Sequence, residues 1–195
     1  MIAEKGDDDM NNLMRKILLK RSVYSFSANL LREEDLMAIL EEGKQLSNVV
    51  NNQAWHFTAI QNKVIMKKFA ELSAYFAIKN GTDNQMVASS GHNISKIIDN
   101  ISTLLVISGV GDIKYTEDAA NTLFGSMMLA ADSYGVKSCW LGSREAMPEE
   151  NTETICDLLQ IPEDYTPLCV GGFGYPIDDT DVKVTYLDSV VKIIR

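Results

Sequence analysis

At 195 residues, with 46% hydrophobic and 23% charged side chains, the chain has the size and make-up of one domain with a substantial core. A net charge of −9 sets the average field against bulk nucleic-acid binding, so a phosphate-bearing ligand has to meet a local cluster of Lys and Arg. The three cysteines, Cys139, Cys156 and Cys169, show neither metal-ligand spacing nor a disulfide framework, which fits a reducing cytoplasm, and no apolar run reaches the length of a membrane span.

Residues 1–11, with Asp7, Asp8 and Asp9, read as a frayed extension without the order of a signal peptide, and 12–195 as a single domain. Leu13, Met14, Ile17 and Leu18 recur at helical spacing over 10–20, and the basic residues that follow suit a helix C-terminus. A second helix is predicted over 33–45, with acids in its first turn and Leu36, Ile39 and Leu40 on one face. A short strand follows over 55–60, then a helix over 64–78 with Ile65, Phe69, Leu72 and Phe76 inward. The polar stretch 80–95 opens with Asn-Gly and is the candidate for a mobile loop or lid. The continuous apolar run 104–108 predicts a buried strand. The strongest helix spans 117–134, apolar around most of its circumference and closed by Gly135, so it belongs in a core or a subunit interface. Strands over 136–141 and 168–172 flank a helix over 149–159, and the tail 182–194 has strand-like patches. Helices alternating with four or five strands give an α/β or α+β domain.

Two short stretches carry the chemistry. Taken alone, Lys20, Arg21 and Ser22 are an ordinary solvated helix end. The run Asn51, Asn52 and Gln53 is by itself a turn before a strand. Together they change meaning: Arg offers a planar fork and Lys a point charge to a phosphate, while Asn and Gln amides match the donors and acceptors along a flavin's pyrimidine edge. Trp55 and Phe57 alternate on a strand and belong to the core, and His56 faces the other way in a structural or solvent role. Leu141 and Gly142 follow a predicted strand and can present backbone groups to a ligand. The glycine-rich end Gly171–Pro176 opens no helix, so a Rossmann site is excluded. No Walker, G-x-S-x-G or H-E-x-x-H pattern occurs, and His56 and His92 have no metal partner set.

The order of these blocks resembles the FMN-dependent nitroreductase family, which typically reads R-R-S-x-R-x-F and then N-x-Q-P-W-H-F. Here the blocks are Lys20-Arg21-Ser22-Val23-Tyr24-Ser25-Phe26 and Asn51-Asn52-Gln53-Ala54-Trp55-His56-Phe57. The central helix from Asp118, the run Gly135–Gly142, the segment Pro148–Glu163 and the Gly-Tyr-Pro turn ending at Pro176 follow in family order. The resemblance spans about 12–194. It implies an α+β fold with a mixed β-sheet flanked by helices, in an intertwined homodimer with FMN at the interface. It implies an FMN-dependent NAD(P)H oxidoreductase that passes hydride from NADH or NADPH through the flavin to a small acceptor such as a nitroaromatic or quinone. It assigns Lys20, Arg21, Ser22, Tyr24, Lys183 and Thr185 to the phosphate and ribityl side, Asn51, Asn52 and Gln53 to the ring, and backbone groups to Leu141 and Gly142, with no side chain as catalyst.

The departures fall on the cations. Tyr24 stands for the second family Arg and Lys20 for the first; Ala54 stands for Pro, and Lys183-Val184-Thr185 keeps the Lys of K-P-R but loses its Arg. Each missing charge-assisted bond is worth roughly 1.5–3 kcal/mol, so weaker FMN binding or a changed ligand is expected. The alternative function is a flavin- or ligand-binding homodimer with little or no reductase activity; a cofactor-free interaction protein is the third.

Overall fold

In β2 (Thr103–Gly109) every residue is buried, which forces that strand to the middle of a sheet with helices on both faces. The computed structural model describes residues 20–47, 55–79, 94–111, 113–144, 147, 149–177 and 192–194, together with 14, 17 and 18 in helical conformation. Its elements are α1 (Glu33–Ser47), β1 (Trp55–Ile60), α2 (Lys63–Lys79), α3 (Ile94–Asn100), β2, α4 (Ile113–Ser133), β3 (Lys137–Ser143), a 3₁₀ turn (Glu149–Asn151), α5 (Thr152–Leu159) and β4 (Thr166–Gly174). The sheet order is β1-β2-β4-β3. Every pairing among the described strands is antiparallel; the parallel pairing that a mixed sheet would include is not seen among them.

The alternation of side chains divides the core in two. Leu104, Val106, Val170, Cys139 and Leu141 face one helical layer, with Met66 and Phe69 of α2, Ile97 and Ile98 of α3, and Ile155 and Leu159 of α5. Leu105, Ile107, Leu168, Cys169 and Phe173 face the other, with Ile39 of α1 and Ala120, Leu123, Phe124, Met127 and Ala131 of α4. The sheet is pressed closely from both sides at β4. A Cβ on Gly171 would collide with the Phe124 ring and lie 2.5 Å from the Cys139 carbonyl; one on Gly172 would collide with the Ile101 side chain.

Local chemistry explains the boundaries. Asn62 caps α2: its Oδ1 accepts the N–H groups of Val64 at 2.9 Å and Ile65 at 3.2 Å. Lys63 reaches across to the other end of the layer and donates from Nζ to the Asp99 carbonyl at 3.0 Å and the Ile101 carbonyl at 2.5 Å, closing the C-terminus of α3. At the end of α4, Gly135 takes a left-handed φ of 71°, and the N–H groups of Val136 and Gly135 fall back on the Ala131 and Asp132 carbonyls at 3.1 and 3.3 Å. That is a Schellman closure, and it turns the chain directly into β3. α5 ends the same way on Gln160 at φ 55°, ahead of Pro162.

Three sequence expectations shift. α4 begins four residues before the expected 117, because Thr116 continues the buried stripe and packs beside Gly109. The buried face of α2 is Met66, Phe69, Ala70 and Ser73; Ile65 and Leu72 are half-buried at its flanks, because α3 and α5 pack on the helix from one side. The segment 149–159 starts as a 3₁₀ turn before it becomes helix. The expected extension 1–11 and lid residues 80–93 lie outside the described residues, as does most of the tail; α3 already begins at Ile94, and 192–194 have no regular structure.

The Gly171 contact gives a direct test of the packing. Gly171→Ala should lower stability by about 1–3 kcal/mol in urea unfolding, since neither the Phe124 ring nor the Cys139 backbone can yield cheaply. An unchanged midpoint would mean that β4 and α4 are not in contact there.

Candidate functional site

The chain leaves the helical residues Ile17 and Leu18 and runs in extended form across the outer edge of β3. Three backbone links fix it there. The Val23 N–H donates to the Ser138 carbonyl at 3.0 Å, Phe26 bridges to Pro176, and the Ser27 N–H donates to the Tyr175 carbonyl at 2.9 Å. Phe26 is the anchor residue, buried in the core against Gly174. Tyr175 also donates its hydroxyl to Asp35, which takes both Arg32 Nε at 2.9 Å and Arg32 Nη2 at 3.0 Å. Those bonds hold the buried Asp35 carboxyl below the usual carboxylate range and lock the start of α1 to the end of β4.

Lys20, Arg21, Ser22 and Tyr24 are all half-buried on this stretch. Arg21 donates from Nη1 to the Leu18 and Lys20 carbonyls at 2.9 and 2.7 Å, a cation at the C-terminal end of the first helix. Lys20 Nζ donates to the Arg21 carbonyl at 3.0 Å. Burial lowers the Lys20 ammonium from 10.5 to about 8, with the Asp132 carboxylate opposing that shift and Lys137 and Arg21 adding to it. Tyr24 rests its ring against the core on the α2 side, so its family-aberrant side chain is partly a packing residue.

At the far end of β3 the ladder slips. Trp140 lies opposite Gly171 and Gly142 opposite Val170, so Leu141 has no residue facing it in β4. A bulge of this kind takes a backbone group out of the ladder at a strand edge, the arrangement a backbone contact to a ligand requires. The Leu141 side chain itself is buried. Glu117 Oε1 accepts the Arg144 N–H at 3.3 Å, and Arg144 pairs with Glu149, which together tie the end of β3 to α4 and to the 3₁₀ turn.

The structure therefore places Lys20, Arg21, Ser22 and Tyr24 on one segment linked to the start of β3, the strand whose far half carries Leu141 and Gly142. Asn51, Asn52, Gln53, Lys183 and Thr185 lie outside the described residues. The amide run immediately precedes Trp55, whose strand is the opposite edge of the sheet, three strand spacings or about 14 Å from β3. Trp55 and Phe57 pack on the α1–α4 side as expected. His56 faces the other layer, its ring 5.5 Å from Tyr165 and its Nδ1 3.2 Å from the Thr58 hydroxyl, a packing role. Sequence reasoning passed over Asp132 and Lys137, whose side chains meet at 2.6 Å beside Lys20. Their signal was present: opposite charges flanking the Gly135 turn.

The nitroreductase family profile matches residues 17–175, a stretch that takes in the cation segment, the whole described sheet and the Gly-Tyr turn. The chain belongs to the nitroreductase family. A relative in Archaeoglobus fulgidus, provisionally named an NADH dehydrogenase/NAD(P)H nitroreductase, is 26% identical over 88% of this chain and 90% of its own length. An FMN reductase (NADPH) of Bacillus subtilis is 24% identical over 86% of this chain and 67% of its own. Among solved structures, a nitroreductase with bound FMN from Bacteroides fragilis superposes with a TM-score of 0.75 at 23% identity, covering 95% of this chain and 100% of that one. One from Desulfitobacterium hafniense, also with bound FMN, gives 0.70 at 21%, covering 92% and 100%. The architecture expected from the sequence blocks, helices on both faces of the sheet, is thus the nitroreductase fold.

Lys20 makes the stability of this nitroreductase depend on pH. Its folded pKa lies below that of the unfolded chain, so protonation costs stability below about pH 8, and the cost is relieved as pH rises towards 10.5. The stability difference between wild type and Lys20→Met in urea unfolding should therefore shift in favour of wild type across that window. A difference that stays constant with pH would place the Lys20 ammonium in solvent.

Proposed function

We propose that the β3-edge segment holds the phosphate and ribityl chain of FMN, and that the acceptor of the reaction is a small nitroaromatic or quinone. The class, an FMN-dependent NAD(P)H oxidoreductase, follows from membership of the nitroreductase family and from relatives named as FMN reductases and NAD(P)H nitroreductases. The observation that carries the reading is the donor set on one edge strand. A half-buried ammonium, a guanidinium and a hydroxyl at Lys20, Arg21 and Ser22 suit a phosphate monoester, and the bulge at Leu141 suits a backbone contact to a flat ring. The residues present thus fit the cofactor.

When bound, the flavin supplies the acceptance and delivery of hydride. The chain's own part is to bind, orient and shield. Lys20, Arg21 and Ser22 would grip the phosphate end, with Lys183, Tyr24 and Thr185 beside them. Asn51, Asn52 and Gln53 would hydrogen-bond the ring edge, and Leu141 and Gly142 would present backbone groups. In this reading no side chain acts as an acid or base. We infer that two copies of the chain contribute to the site: β1, which follows the amide run in sequence, and β3, along which the cation segment lies, are opposite edges of the described sheet, and that separation supports a homodimer with FMN between the subunits. Among the described residues no helix is long and apolar enough to cross a membrane.

An absorption spectrum of the purified protein followed by FMN titration tests the cofactor, and NADH or NADPH oxidation with a nitroaromatic or quinone tests the acceptor. Flavin bands or stoichiometric binding, with turnover, are expected. Binding without turnover would favour the alternative of a flavin-binding homodimer. Arg21→Ala should weaken FMN binding by about tenfold or more, the loss of one charge-assisted bond. Full occupancy in that variant would refute the phosphate assignment.

A further inference from the structure

We infer that Lys137 is a phosphate-binding residue of this site, engaged by Asp132 until a phosphate displaces that carboxylate, and that the pair tunes affinity for the phosphorylated over the unphosphorylated flavin. The inference rests on the reading that FMN occupies the β3 edge. Lys137 is the first residue of β3, next to Ser138, whose carbonyl takes the Val23 N–H. The link sets Lys137 beside the segment that bears Lys20. Its Nζ lies 2.6 Å from Asp132 Oδ1, with the lysine side chain 34% and the aspartate 17% exposed. Lys20 lies in the field of Asp132, Lys137 and Arg21, and the nearby Cys139 thiol, pushed up by burial to about 12, stays neutral and adds no charge.

Three cations and one carboxylate thus share this neighbourhood, only Lys137 of the three being paired with the carboxylate, in a chain whose net charge is −9. The local excess is two positive charges, and a phosphate monoester carries a charge of about −2 at neutral pH. Partial burial of an unbalanced cation cluster is unfavourable until an anion arrives. The ion pair is not needed to close the α4–β3 turn, because Gly135 and the Val136 and Gly135 N–H groups already do so. What the pair adds is a lysine held near the phosphate side and a carboxylate that any incoming phosphate must compete with.

Opposed variants separate this from a structural latch. FMN and riboflavin would be titrated into wild type, K137Q, K137R and D132N by flavin fluorescence. K137Q should weaken FMN by about tenfold and leave riboflavin unchanged, and K137R should keep the wild-type preference. D132N removes the competing carboxylate and should tighten FMN, again without moving riboflavin. A latch would make K137Q and D132N act in the same direction, and on both ligands alike; that result overturns the inference. If K137Q fails to fold, the sign of the D132N effect on FMN alone decides. Wild type binding FMN with both variants silent overturns this inference and leaves the proposed function standing. Wild type that fails to bind FMN overturns both.

Discussion

Most of this structure depends on the two glycines in the middle of β4. With hydrogen in place of Cβ at Gly171 and Gly172, the Phe124 ring presses on the strand from one face and Ile101 from the other. The sheet is thereby held at close range by both helical layers. β4 in turn carries β3 as its only described outer neighbour, so the position of the edge strand follows from how closely α4 and the α3 end approach. A side chain at either glycine would move the edge on which the cation segment is hung.

From that edge the functional arrangement follows step by step. Closure of α4 on Gly135 delivers the chain into β3 without a loop. The Ser138 carbonyl then receives Val23, buried Phe26 anchors the segment, and Lys20 is left half-buried next to Asp132 and Lys137. Loss of water around that ammonium outweighs the attraction of the nearby carboxylate, which offsets it only in part.

The fold was legible in the sequence wherever the pattern was unambiguous. The residues of β1 alternate in direction between two apolar layers, those of β2 form an unbroken apolar run, and α4 carries a wide apolar stripe ending at glycine. Each produced the element expected. The inward face of α2 was harder, because two overlapping stripes, Ile65–Phe69–Leu72 and Met66–Phe69–Ser73, satisfy the same helical spacing. Only the location of α3 and α5 decides between them.

By itself the sequence determined the family, the order of the strands and of the helices it predicted, and the cation and amide motifs, because those depend on local periodicity and on residue chemistry in a fixed order; the short helix α3, which follows the stretch read as a loop, was not predicted. It did not determine which residues share a neighbourhood. The tertiary structure decided that Lys20 lies beside Asp132 and Lys137, more than a hundred residues away, and that β1 and β3 are opposite edges of the described sheet. It also decided that β3 bulges at Leu141. Strand order and register arise from the summed packing of both layers, and no local pattern encodes that sum.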